Sequence, residues 1–113
     1  MGQGYDSGMA TNAKHEFVRA ISGKAPVLCA KIERANGYAN NTAYLLPIGW
    51  TEEHYALFLS ALDFTYDNGF GCQELFGTIW YTDGTWSDRG EYDGSEWWIH
   101  RSTPQIPSDV GGE

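Results

Sequence analysis

The sequence predicts an α+β fold. An antiparallel sheet of four to five strands ends in a C-terminal three-stranded meander, a helix over residues 51–62 packs on one sheet face, and a short N-terminal helix lies at an edge. Three observations predict it. Asp83-Gly84 and Asp93-Gly94 punctuate three β-type runs, 74–82, 85–92 and 95–102, and Asp-Gly is the favoured pair for a two-residue hairpin turn. Tyr55, Phe58, Leu59 and Leu62 recur at the spacing of one helix face behind Thr51. Two more β-type runs, 27–33 and 43–48, stand between the helical patterns.

Each element has a local reason. Residues 1–10 are Gly-rich and read as a flexible N-terminus, 11–103 as a single domain, and 104–113, with Pro104 and Pro107, as a tail. Asn12 can cap a helix over 12–22, in which Phe17, Val18 and Ile21 form the apolar stripe and Gly23 is the stop. The segment 34–42 holds Asn36-Gly37 and Asn40-Asn41 and reads as a connector. Pro47 places the following strand at an edge or at its own end. The Thr51 hydroxyl can cap the second helix, and Glu52 and Glu53 suit the positive end of its dipole. "DNGFG" at 67–71 reads as a loop.

The charge balance restricts the partners. A net charge of −8 disfavours direct contact with nucleic acid or an anionic membrane, both of which call for excess Lys and Arg. The charge is uneven: residues 63–113 hold ten acids against Arg89 and Arg101, whereas residues 1–62 are balanced at five and five. No apolar stretch approaches the ~20 residues of a membrane helix, no secretory signal is visible, and the expected location is cytoplasmic. Cys29 and Cys72 lack metal or disulfide spacing, and His15 and His54 fall on separate helices, so neither a metal nor a cofactor is expected.

Two-residue turns would fix the register, with Tyr81 facing Trp86, Ile79 facing Asp88, Arg89 facing Trp98, Glu91 facing Glu96 and Ser87 facing His100. Alternation then puts Leu75, Ile79, Tyr81, Trp86, Tyr92, Trp97 and Ile99 on the expected core face, with Asp88 and Arg101. Phe76, Thr78, Trp80, Ser87, Arg89, Glu91, Glu96, Trp98 and His100 fall on the other, unless a bulge at Gly90 exchanges some of them. That second face is too polar for a core and rich in the residues of binding hot spots. Arg89 beside Trp98 suggests a partner anchor or an internal cation–π pair. Glu91 opposite Glu96 suggests a cation between them or two side chains splayed into water. Ser87 and His100 could meet as nucleophile and base, but no acid orients His100 and no GxSxG surrounds Ser87, so no catalytic residue is assigned.

The stretch "GTIWYTDGTWSDRGEYDGSEWWIHRSTPQIP", residues 77–107, resembles the C-terminal ends of small proteins encoded by tailed phages and prophages, through its DGTW, RGEYDGSEWW and PxIP segments. The resemblance implies a phage accessory setting and supplies no catalytic residues. Together with the charge, it leads to the expectation of a non-enzymatic protein that binds a basic host protein in the host cytoplasm, as an inhibitor of a defence or nucleic-acid-binding complex of the anti-CRISPR or anti-restriction type. The expected partner-binding residues are Trp80, Asp83, Arg89, Glu91, Asp93, Glu96, Trp98 and His100. The competing readings are a small ligand module, with sugars stacked on Trp80 and Trp98, and a minor virion component. The sequence does not specify an oligomeric state.

Overall fold

The computed structural model describes residues 10–36, 39–69 and 72–110. Strand β1 (Ala10–Asn12) leads into helix α1 (Ala13–Ile21), followed by β2 (Val27–Asn36), β3 (Ala39–Leu46) and helix α2 (Glu52–Ala61). Then come β4 (Thr65–Asp67), β5 (Leu75–Tyr81), β6 (Trp86–Tyr92) and β7 (Ser95–Arg101). The five long strands form an antiparallel sheet in the order β3-β2-β5-β6-β7, while β1 and β4 pair separately. The result is the α+β architecture with a mostly antiparallel sheet that the sequence predicts. The Gly-rich start of the chain, the Gly37 turn position and Phe70-Gly71 of the predicted loop lie outside the described residues.

Both helices form where their caps dictate. The Asn12 side chain accepts a hydrogen bond from the His15 amide, and the Thr51 hydroxyl accepts one from the His54 amide. His54 returns the bond, its Nδ1 accepting from the Thr51 amide, and so closes a capping box in which histidine fills the place of Glu or Gln. α1 packs against β7 and α2 against β3, and Phe17 meets Phe58 edge-on with ring centroids 5.2 Å apart. Phe17, Phe58, Leu62, Ile32, Leu46, Leu75 and Ile79 are all buried in one core, each stabilising the fold by about 1.5–3 kcal/mol.

The 34–42 connector is a correction. It is mostly strand, with β2 continuing to Asn36 and β3 starting at Ala39. The Asn36 amide donates to the Asn40 carbonyl and the Thr42 hydroxyl at 2.7 Å, tying the two strands where a loop was expected. The small β1–β4 sheet also has no counterpart in the sequence reading, because three-residue strands carry no periodic signal.

The two Asp-Gly turns differ, and the difference decides the faces. Asp93 (φ 52°) and Gly94 (φ 89°) are both left-handed, as a type I′ turn requires, so Glu91 faces Glu96 and Arg89 faces Trp98 as the sequence predicts. At the other turn only Gly84 is left-handed, at φ 88°. The Asp83 carboxylate accepts from both the amide and the hydroxyl of Thr85, the Tyr81 amide donates to the Thr85 carbonyl, and the loop holds three residues, Thr82 to Gly84. Trp80 therefore faces Trp86, and Ile79 faces Ser87. A slip of one residue exchanges the faces of β6 and β7 relative to β5.

Candidate functional site

The exchanged faces turn the expected binding surface inward. Ser87 and Glu96 are 1% and 2% exposed, the Arg89 side chain is 2% exposed, and Trp98 packs against the core. Arg89 and Glu96 therefore line the helix-covered interior, with Trp98 beside them. They are not on the surface where the sequence reading places its anchors and charge.

These buried groups pair with one another, although Arg89 Nε and Nη1 make no hydrogen bond. Arg89 Nη2 donates to Glu96 Oε1 and to the Tyr66 hydroxyl, both at 2.7 Å, and Nη1 lies 3.3 Å from Glu16 Oε2. Tyr66 donates to the other oxygen of Glu16. Glu96 also accepts from the amides of Glu74 (2.8 Å) and Leu75 (3.0 Å), so both of its oxygens are used. The guanidinium carbon stands 5.0 Å from the Trp98 ring centroid, the internal cation–π pair. Burial pushes the Tyr66 hydroxyl far above the ordinary tyrosine range, despite the opposing pull of Arg89, so Tyr66 stays a neutral donor. Burial alone would weaken the Arg89 charge, but the hydrogen bond that Arg89 donates to the neutral Tyr66 hydroxyl and the Glu16 and Glu96 carboxylates outweigh burial and raise its pKa.

The two facing glutamates thus part company. Glu96 turns in to Arg89, while Glu91 stays exposed and accepts from the Gly94 amide at 3.1 Å, closing its own turn. No side-chain cation among the described residues bridges the two: Arg89 pairs with Glu96, and Glu91 is engaged by the Gly94 amide. Ser87 and His100 also face each other but hold different partners: Ser87 shares a 2.8 Å bond with the Tyr81 hydroxyl, and His100 a 3.0 Å bond with Thr85. Burial raises the Cys29 thiol above its ordinary range, away from a reactive thiolate. Among the described residues, no three His, Cys, Asp or Glu side chains are grouped to hold a metal, and no helix is long and apolar enough to cross a bilayer.

The opposite face is open and aromatic. Phe76, Trp80 and Trp97 are each about 40% exposed, and Trp86 and Ile99 are half-buried beside them. Trp97 and Ile99 lie over Gly90, where a Cβ would come within 2.4 Å of Ile99. The charges on this face pair off locally, Asp88 with Arg101 at 2.7 Å and Lys31 with Glu33 at 3.8 Å. Of the expected binding residues, only Trp80 belongs to this face. Asp83 is exposed at one end of β6, Glu91 and Asp93 are exposed at the other, and seven strand residues set the ends roughly 20 Å apart. His100 is exposed on the inward side. The acids therefore form no single patch. Trp80 and Trp98 point to opposite sides of the sheet, so one sugar could not stack on both.

The sequence reading placed Phe76 and Trp80 on the outer face but assigned Trp86, Tyr92, Trp97 and Ile99 to the core, where Tyr92 is in fact 76% exposed, and it missed Glu16 and Tyr66 as partners of Arg89. A hydroxyl residue follows both Asp-Gly pairs, Thr85 in one turn and Ser95 in the other, so the capture of the Thr85 amide and hydroxyl by Asp83 that accompanies the longer loop had no distinguishing local signal. Compared with models of protein families, with curated proteins and with solved structures, the chain matches none.

Proposed function

We propose that this protein is a non-enzymatic binding protein that engages a protein partner through the open aromatic face of its five-stranded sheet. The observation that carries the reading is Phe76, Trp80 and Trp97 standing exposed on one face while every charged side chain named there has an internal partner. Apolar clusters of this kind on a surface mark interaction sites, and tryptophan is the commonest hot-spot residue. Paired charges also fit such a face, since they add little repulsion when a partner excludes water. Ser87 and His100, each engaged elsewhere, give catalysis no support.

The resemblance at residues 77–107 extends the proposal to a phage or prophage accessory protein acting on a host protein, with a defence or nucleic-acid-binding complex as the target class. On this reading the overall charge of −8 steers the encounter with a basic partner, and the aromatic face supplies the affinity.

The test compares wild type with a Trp80→Ala/Trp97→Ala variant as bait in host lysate, at low and high salt. A specific host protein held by wild type should be lost with the variant, since truncating one hot-spot tryptophan costs about 2 kcal/mol, roughly 30-fold. Capture that survives the double substitution would remove the aromatic face from the interaction. Sugar stacking on Trp80 is the competing reading, favoured by a shallow hollow of about 100 Å³ beside it lined by Lys31, Glu33 and Thr78. Quenching of wild-type tryptophan fluorescence by an oligosaccharide, lost in the variant, would establish that reading instead.

A further inference from the structure

All five strands of the large sheet lend one residue to a single row across its open face. Leu45, Lys31, Thr78, Asp88 and Ile99 are successive cross-strand partners from β3 to β7. Ile79, between Thr78 and Trp80 on β5, is fully buried in the core, so this row points outward with the aromatic residues. From either edge the row runs apolar, charged, Thr78, charged, apolar, and its two charges are opposite in sign. The neighbouring row holds Cys29, Trp80, Trp86 and Arg101.

We propose that a second copy of the chain covers this face, the two sheets packing face to face about a twofold axis that runs along β5. The inference rests on the reading of this face as a protein-binding surface and names its occupant. β5 is the central strand, so a half-turn about it exchanges β2 with β6 and β3 with β7. It sets Lys31 over Asp88 of the second copy, Trp80 over Trp80 and Cys29 over Trp86, and it brings Leu45 towards Ile99. Each Lys31 then lies between its own Glu33 and an Asp88 that keeps its own Arg101. The charges alternate in sign along that line, and none of the four is left unpaired. Packed sheets stand about 10 Å apart, within the combined reach of lysine and aspartate, and the roughly 30° between aligned sheets shifts β2 and β6 by only about 2–3 Å.

Charge selects this axis. An axis along the row, across the strands, would set Lys31 over Lys31 and Asp88 over Asp88, like over like. The chain carries −8 overall, yet Lys31, Glu33, Asp88 and Arg101 sum to zero, so the face itself calls for no basic partner. Its size also suits a dimer. Five strands spaced about 4.8 Å apart and seven residues rising about 3.3 Å each give roughly 550 Å² in projection, which protruding side chains enlarge towards the about 800 Å² per partner of a standard interface. A host protein would reach the face by displacing the second copy.

Sedimentation velocity of the full chain at rising concentration tests the proposal, and wild type should form a dimer in the micromolar range. Lys31→Asp and Asp88→Lys should each weaken self-association by about tenfold or more, because each creates like-charge contacts at both ends of the row. Mixed together, the two variants should recover a dimer with one copy of each, which also shows that both fold. Trp80→Ala/Trp97→Ala should dissolve the wild-type dimer. A wild type still monomeric at about 100 μM would overturn the proposal, as would a dimer indifferent to the charge reversals or to the double tryptophan substitution. So would Lys31→Asp pairing better with wild type than with Asp88→Lys. Host-protein capture that a monomeric wild type shows and the double tryptophan variant loses would overturn only the second copy and leave the face a protein-binding surface. A dimer lost in that variant while host capture survives would support the second copy and remove the host protein from this face.

Discussion

Glu91 and Glu96 face each other across one turn, so the same substitution at each isolates what burial does to a carboxylate. Glu96 accepts three hydrogen bonds, from the amides of Glu74 and Leu75 and from Arg89, and its side chain is fully buried. Glu96→Gln turns one oxygen into a donor among three donors. At least one charge-assisted bond is lost, worth about 1.5–3 kcal/mol, and Arg89 keeps only Glu16 as an anion. Removing a partner from a buried pair costs about 3–5 kcal/mol, and that is the expected loss, against a total stability of about 5–15 kcal/mol for a domain. Glu91→Gln changes an exposed side chain with one backbone bond and should stay within about 0.5 kcal/mol. Urea unfolding followed by tryptophan fluorescence reads both, and the first variant should melt lower by roughly 10–20 °C. Similar effects at the two positions, or less than about 1 kcal/mol for Glu96→Gln, would refute the argument that this carboxylate is committed to Arg89.

Two further predictions concern single positions. Gly77 sits at φ +152°, and a Cβ there would meet the Lys31 carbonyl oxygen at 2.4 Å and the Ile32 Cα at 2.9 Å, backbone that cannot rotate away. Gly77→Ala should therefore cost roughly 3 kcal/mol or more, whereas Gly84→Ala, strained in φ but with open space, should cost only about 1–2 kcal/mol by the same denaturation assay. The Asp63 carboxyl is held below its ordinary range, first by the Asn12 amide at 2.8 Å and then by the Lys14 charge. A lowered folded-state value stabilises the protein above the unfolded value near ~3.9, and the stabilisation fades as pH falls through the folded value. The stability gap between wild type and Asp63→Asn should therefore be present at neutral pH and close in acid, and a gap that widens in acid would reverse this account.

Much of the fold is legible in the sequence because its signals are local. Asn12 and Thr51 announce the helices, Asp93-Gly94 fixes the last hairpin, and Phe58 and Leu62 identify the buried side of α2. The candidate site is far less legible. One residue of loop length separates two opposite assignments of β6 and β7, and both strands alternate large and polar side chains on each face, so neither assignment looks wrong by itself. Only the tertiary partners decide: Glu16 and Tyr66, fifty residues apart, wait for an arginine that no pattern in the sequence links to them.

That buried ion cluster also acts as a check on how the chain pairs. If the β5–β6 loop closed with two residues, Trp86 and Asp88 would turn inward in place of Ser87 and Arg89. Glu16 and Tyr66 would then be enclosed with a carboxylate and no cation, at a cost of several kcal/mol. Aromatic residues alone would tolerate either arrangement, since both sides of the sheet hold enough of them to make a core. The charges make the wrong choice expensive, so a chain that mispairs this hairpin must reopen it before the helices can seat.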